Sequence, residues 1–151
     1  YDNAISAYKE AIQNDPNWAL PYNSIKNIET NFEKQLIENI IYNWKTSWEN
    51  KDIEKYMKFY SYNFYGTVHG NVRKSLNYHE WQEYKRKLFA KYAFIKITIQ
   101  NLNIVINKNI AKVTFQQKFT SNEYSDKGIK ILILRKEFGI WKIIKEDFIK
   151  Y

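Results

Sequence analysis

Two polar side chains stand where strand alternation would put apolar ones, and chemistry would begin with them. Glu146 shares its phase with Ile144 and Phe148 in "WKIIKEDF", and Gln117 sits between Phe115 and Phe119 in "TFQQKFT". An interior carboxylate serves as a general acid or base when burial tunes its pKa. It serves equally as half of a buried or rim ion pair, here with Arg86 or a lysine. A buried carboxamide must find hydrogen-bond partners or cost about 1–3 kcal/mol. Gln117 therefore either joins an internal network with tyrosine hydroxyls or faces a polar ligand. Tyr56, Tyr60 and Trp81 carry the same ambiguity: aromatic side chains at helical spacing build cores, yet a flat face with a polar tip also suits sugars and amphiphiles.

Other chemistries find no footing. His69 and His79 lie in or beside one loop with no second metal-type ligand at a useful spacing, and "YHEWQEY" is not a zinc-binding HExxH motif. Asp52, Glu54, Glu123 and Asp126 fall at expected turns or helix starts, where carboxylates cap. There is no GxSxG elbow, no glycine-rich phosphate loop and no cysteine. Neither a catalytic constellation, a metal site nor a cofactor is expected. The net charge of +8 would attract polyanions, but of 24 basic residues only Arg73, Arg86 and Arg135 are arginine, and the lysines are spread along the chain. Phosphate and base recognition favour the guanidinium fork, so a solvated surface is expected and no nucleic-acid partner. No apolar run approaches the length of a membrane span.

The elements that must position these residues are legible from periodicity. Asn31 opens a long helix whose stripe is Ile37, Ile40, Ile41, Trp44 and Trp48. After the break at "ENKD", a second helix carries Ile53, Tyr56, Met57, Phe59 and Tyr60. "YGTVHGNVRKS" reads as a short strand and loop, and Tyr78 to Lys91 as a third helix with Trp81, Tyr84, Leu88 and Tyr92 on its stripe. From Ile95 the period becomes two. The phase slips near Gln100-Asn101, as a bulge would produce, and Ala111, Val113, Phe115, Gln117, Phe119 and Ser121 share one face. Turns are expected at Asn107 to Asn109, at "SDKG" and at "FG", giving four antiparallel strands. Ile131 and Ile133 alternate with Leu132 and Leu134, so both faces of that strand are apolar and the outer one needs a cover: a second copy in a homodimer, the N-terminal helices, or chain outside this sequence.

Upstream, Tyr1, Ala4, Tyr8, Ala11 and Pro16 resemble the second helix of a tetratricopeptide repeat, with Trp18 to Glu29 as the next helix. This gives 1–30 as the end of a repeat array and 31–151 as the globular domain. The junction "NSIKNIETNFEKQLIENI" has neither Pro nor Gly, so a helical connection is expected, continuous or broken once near Glu29 to Asn31. The chain opens at Tyr1 without Met, and a longer parent is expected.

The order of elements, with "WKTSWENKDIEKYMKFYSYNF" and "KGIKILILRKEFGIWKIIKED", resembles the nuclear transport factor 2-like superfamily, which includes SnoaL-like cyclases and ketosteroid isomerases. The resemblance implies an α+β fold in which three helices pack on a curved antiparallel sheet to make a cone. Trp44 and Trp48, Tyr56 and Tyr60, Trp81, Phe115 with Gln117, and Trp141, Ile143 and Glu146 are similar to motifs in the C-terminal accessory domain of bacterial cell-shape L,D-carboxypeptidases and L,D-transpeptidases. By that resemblance the chain is a non-catalytic binding or scaffolding module of the cell envelope, in the periplasm. Its partner would be a protein or a peptidoglycan-derived glycan or peptide, and the candidate pocket residues are Tyr56, Tyr60, Trp81, Arg86, Phe115, Gln117, Trp141 and Glu146. The alternative is a SnoaL-like enzyme acting on a small hydrophobic substrate, with Glu146 as acid or base and Tyr60 or Gln117 orienting the substrate.

Overall fold

A computed structural model describes residues 2–14 and 19–151. The chain divides into two compact units, 1–36 and 37–151. In the first, helix α1 covers Asp2–Asn14 and includes Ala4, Tyr8 and Ala11 of the repeat-like signature. Tyr1, Pro16 and Trp18 of that signature lie outside the described residues. Helix α2 runs from Ala19 to Glu49 without a break at Glu29 to Asn31, so the chain passes from one unit to the next as helix.

The second unit is helical first and then mostly sheet. The stripe expected on α2 is real: Ile37, Ile41, Trp44 and Trp48 are buried. Asp52 caps the short helix α3 (Ile53–Met57) by accepting from the Lys55 N–H at 3.0 Å. Helix α4 (Tyr78–Lys91) begins at a capping box in which Asn77 and Glu80 satisfy each other's backbone N–H. Four long strands follow: β3 (Ile95–Asn107), β4 (Ile110–Ser121), β5 (Ser125–Glu137) and β6 (Ile140–Lys150). The phase slip in β3 is a bulge between Gln100 and Asn103, with Asn101 at φ 54°. Trp44, Tyr56, Phe64 and Phe115 are fully buried, each stabilising the fold by roughly 1.5–3 kcal/mol.

Three expectations need correction. Phe59 and Tyr60 do not continue the second helix, because Tyr60 opens strand β1 (Tyr60–Val68), which pairs antiparallel with β2 (Lys74–Asn77). Tyr56, Tyr60 and Phe64 are four apart, a spacing that keeps one face in a helix and in a strand alike. The sheet therefore has six strands in the order β2-β1-β6-β5-β4-β3. It is not purely antiparallel either, since β1 runs parallel to β6. Finally, "SDKG" is strand. The β4–β5 turn is Asn122 to Tyr124, closed by Ser121, whose N–H donates to the Tyr124 carbonyl at 2.8 Å and whose Oγ accepts from the Tyr124 N–H at 3.0 Å. Gly128 is a packing glycine, because a Cβ there would meet the Phe148 ring at 2.7 Å.

Strand β6 carries a second bulge. Ile133 pairs with Lys145 but Leu134 with Ile143, leaving Ile144 extra. That extra residue brings Glu146 to the same inner face as Trp141 and Ile143, although simple alternation groups it with Ile144 and Phe148. On β5 Leu132 and Leu134 face inward and are fully buried, while Ile131 and Ile133 lie half-buried on the other face.

Candidate functional site

Helix α4 and the C-terminal turns of α2 face strands β4, β5 and β6 across a cavity of about 580 Å³, within the usual range for small-ligand sites. Trp48, Trp81, Tyr84, Lys85 and Leu88 line the helix side; Gln117, Phe119, Asp126, Lys130 and Phe148 line the sheet side. His69 and Lys150 also line it. Gly66 permits the close approach of Trp81, since a Cβ there would stand 2.5 Å from the indole ring.

Behind the cavity wall lies a connected polar core. Lys130 Nζ donates to Glu146 Oε1 at 2.6 Å, and the Tyr60 hydroxyl donates to Glu146 Oε2 at 2.6 Å. The Trp44 indole N–H donates to the Tyr60 oxygen at 2.8 Å. The Tyr56 and Tyr60 hydroxyls are 2.6 Å apart. With Tyr60's single proton committed to the carboxylate, the proton between the two phenols is Tyr56's. Burial would raise the Glu146 carboxyl, but the Lys130 and Lys85 charges and the two hydrogen bonds overcome it and hold the pKa below the usual value. Burial and the Glu146 charge push both Tyr56 and Tyr60 well above the usual phenol range.

Lys85 is arranged differently. It is 4 % exposed, and its ammonium lies 4.0 Å from the Trp48 ring centroid and 4.8 Å from that of Trp81. No carboxylate lies within ion-pair distance of it among the described residues. Burial pushes its pKa down to about 7, against the upward pull of Glu146 and Asp126 and with the help of Lys130. Four buried polar atoms of the lining residues have no hydrogen bond of normal length, the indole N–H groups of Trp48 and Trp81, Gln117 Oε1 and Asp126 Oδ1, but none of them is open to the cavity and the Trp81 N–H acts on the Tyr56 hydroxyl. The other Asp126 oxygen accepts from the Tyr124 hydroxyl at 2.9 Å. His69 Nε2 lies 2.6 Å from Asp147 Oδ1. Among the described residues there is no group of His, Asp and Glu placed to hold a metal ion, and no helix long and apolar enough to cross a membrane.

The structure sorts the sequence candidates into four places. Trp81 and Gln117 line the cavity. Tyr56, Tyr60 and Glu146 form the network behind it. Phe115 packs edge-on to Trp44 in the core, and Trp141 is buried with Lys136 over its ring at 5.9 Å. Arg86 is half-exposed on α4, 3.3 Å from Glu83, and does not reach Glu146, whose cation is Lys130. Asp126, expected as a turn residue, faces the cavity from β5. Sequence reasoning missed Lys85 and Lys130. Lys85 is four residues from Trp81 and three from Leu88, in the middle of the apolar stripe, and Lys130 shares the phase of Leu132 and Leu134. A lysine inside an apolar phase was the available signal.

A cone of helices closed by a strongly bent sheet, with its cavity between them, defines the NTF2-like fold, which serves enzymes and binding modules alike. The chain belongs to the family of the Cds6 C-terminal NTF2-like domain, whose model matches residues 35–147. Among solved structures it is similar to Bd1075 of Bdellovibrio bacteriovorus, at 29 % identity and a TM-score of 0.71, over 82 % of this chain and 42 % of that one. The chain thus spans less than half the length of Bd1075. A putative scytalone dehydratase from Novosphingobium aromaticivorans is similar in fold, at 12 % identity and a TM-score of 0.72, over 82 % of this chain and 88 % of that one. A putative dehydratase from Streptomyces avermitilis is similar too, at 11 % identity and a TM-score of 0.71, over 78 % and 94 % of the two chains. No sequence match was found among curated proteins.

Proposed function

We propose that the NTF2-like part of this chain is a non-catalytic binding module that takes a small ligand into the cavity, within a periplasmic protein of the bacterial cell envelope. The observation that carries the binding reading is a cavity of about 580 Å³ walled by Trp48, Trp81, Phe119 and Phe148, with the buried Lys85 ammonium on its helix side and no carboxylate within ion-pair distance of that ammonium among the described residues. A buried ammonium without a counter-ion is costly, and a ligand that brought it a carboxylate would offset that cost. Against a catalytic Glu146 stands its double engagement by Lys130 and Tyr60. A carboxylate so held is ionised, and it is not among the cavity's lining residues.

Envelope location is supported by the motif likeness to the accessory domains of cell-shape L,D-carboxypeptidases and L,D-transpeptidases. The ligand in this reading is a peptidoglycan-derived glycan or peptide. Helix α1 and the start of α2 are read as the end of a tetratricopeptide-type array that meets a partner protein. Because Trp48 and Trp81 line the cavity, titration with purified muropeptides should change the tryptophan emission in a saturable way. Flat emission at millimolar muropeptide, with the protein folded by circular dichroism, would remove the muropeptide reading.

A further inference from the structure

Among the described residues three lysines line the cavity, and they are held in three different ways. Lys130 is locked to Glu146 at 2.6 Å. Lys150 is exposed and donates to the Tyr124 hydroxyl at 3.0 Å, which holds its pKa up. Lys85 is buried and donates no hydrogen bond, yet its Nζ is not one of the enclosed polar atoms, so the nitrogen keeps accessible surface on the cavity. The rings of Trp48 and Trp81, centred 4.0 and 4.8 Å away, and those of Tyr56 and Tyr84, centred 5.6 and 5.9 Å away, surround it. The Lys130 ammonium stands 5.5 Å from the same Trp48 centroid, so a second positive charge shares that ring. An amine desolvated among aromatic rings and set beside another cation gives up its proton readily and becomes a nucleophile. Of the three, Lys85 alone has this setting, and its pKa of about 7 agrees with it.

Going beyond the binding-module reading, we propose that Lys85 is a covalent capture site for a small aldehyde carried on an aromatic or other apolar group, with which it forms a reversible Schiff base. The nitrogen lone pair forms the C–N bond while the carbonyl π pair moves to oxygen. The nitrogen loses a proton and the oxygen gains one, both exchanged with water in the cavity. Departure of water from the carbinolamine then breaks the C–O bond and leaves the imine. Nothing is oxidised or reduced, and no further reactant is required. An imine is a weaker base than the amine it replaces, so condensation also removes a charge that burial disfavours. The cavity of about 580 Å³ has room for a ring, and Trp48, Trp81, Phe119 and Phe148 supply walls that suit one. An aldehyde carbon bears one substituent, which fits a nitrogen flanked by two indoles better than the two of a ketone.

Incubation of the whole chain with benzaldehyde at neutral pH, reduction with borohydride and peptide mapping by mass spectrometry test the proposal. Borohydride fixes an imine as a stable benzylamine. The benzyl group should be found on Lys85 about tenfold or more above any exposed lysine, since an ordinary lysine titrating near 10.4 has about a thousandfold less free amine at neutral pH. Lys85→Met should lose this adduct and keep the slow background on the surface. Benzyl groups spread evenly over the exposed lysines of the unmodified protein, with no excess at Lys85, would overturn the proposal, and this result needs no variant to fold. Benzyl alcohol has the same ring without the carbonyl. A saturable change in tryptophan emission with benzyl alcohol, and no excess of adduct at Lys85, would end the aldehyde proposal and leave the binding module standing. An adduct at Lys85 with flat emission in muropeptide would support the proposal and remove only the muropeptide reading.

Discussion

Lys130→Met is expected to lower stability by about 3–5 kcal/mol, because it strands a fully buried carboxylate that keeps only the Tyr60 hydroxyl for company. The ion pair between Lys130 and Glu146 is 2.6 Å long, and both side chains are at most 5 % exposed. Geometry this enclosed makes removal of one partner far worse than removal of both. The double variant Lys130→Met with Glu146→Leu should recover most of the loss, since it removes the stranded charge and leaves only one of the two phenol protons without an acceptor. Urea unfolding at neutral pH measures the cycle. A loss below about 1 kcal/mol in the single variant, typical of a solvated pair, would show that water reaches Glu146. The Glu146 pKa is lowered in the fold, so this carboxylate's contribution is present above the unfolded carboxyl range and fades as pH falls through the folded value.

Lys85 gives the second large effect, with the opposite sign. Its ammonium titrates near 7 in the fold and near 10.4 in the unfolded chain. Between those values the unfolded state binds the extra proton, so stability rises with pH across the window. Below it the full cost of burying the charge is present, on the order of 5 kcal/mol. The groups that act on Lys85 are Lys130 and Asp126 from β5 and Glu146 from β6, with the Tyr56 ring from α3 and the Trp48 ring from α2 packed against it. Burial outweighs them all. Tyr56 and Tyr60, both raised, take stability away above pH ~10, where the unfolded phenols ionise first. The protein should therefore be most stable between about pH 9 and 10, and Lys85→Met should stabilise it at neutral pH and flatten the rise. Parallel stability–pH curves for the variant and the parent would contradict this.

These residues also show where sequence reasoning reached and where it stopped. The stripe Ile37, Ile41, Trp44 and Trp48, the helix from Tyr78 to Lys91 and the inward row from Ala111 to Ser121 follow from period alone, and all are present. The helix-to-strand switch at Tyr60 was hidden because a four-residue spacing keeps one face in either conformation. The inward turn of Glu146 depends on a bulge at Ile144, which alternation does not reveal. Gly128 carries a turn-like composition inside a strand, and its reason, the Phe148 ring, lies some twenty residues away along the chain. Lysine is read as surface by default, and so Lys85 and Lys130, which decide the electrostatics of the cavity, were passed over although each interrupts an apolar phase. Their burial depends on aromatic faces and on a carboxylate supplied by other elements.

In the binding-module reading the cavity presents a ligand with a buried ammonium that packs on aromatic rings and has no carboxylate partner among the described residues. This reading is tested most directly by following the Lys85 side-chain Cε resonance through a pH titration, assigned by comparison with Lys85→Met. A midpoint near 7 is expected in the free protein, with an upward move when muropeptide is added, because a carboxylate at the ammonium favours its charged form. A midpoint near the ordinary lysine value of about 10.4 that does not respond to muropeptide would contradict it.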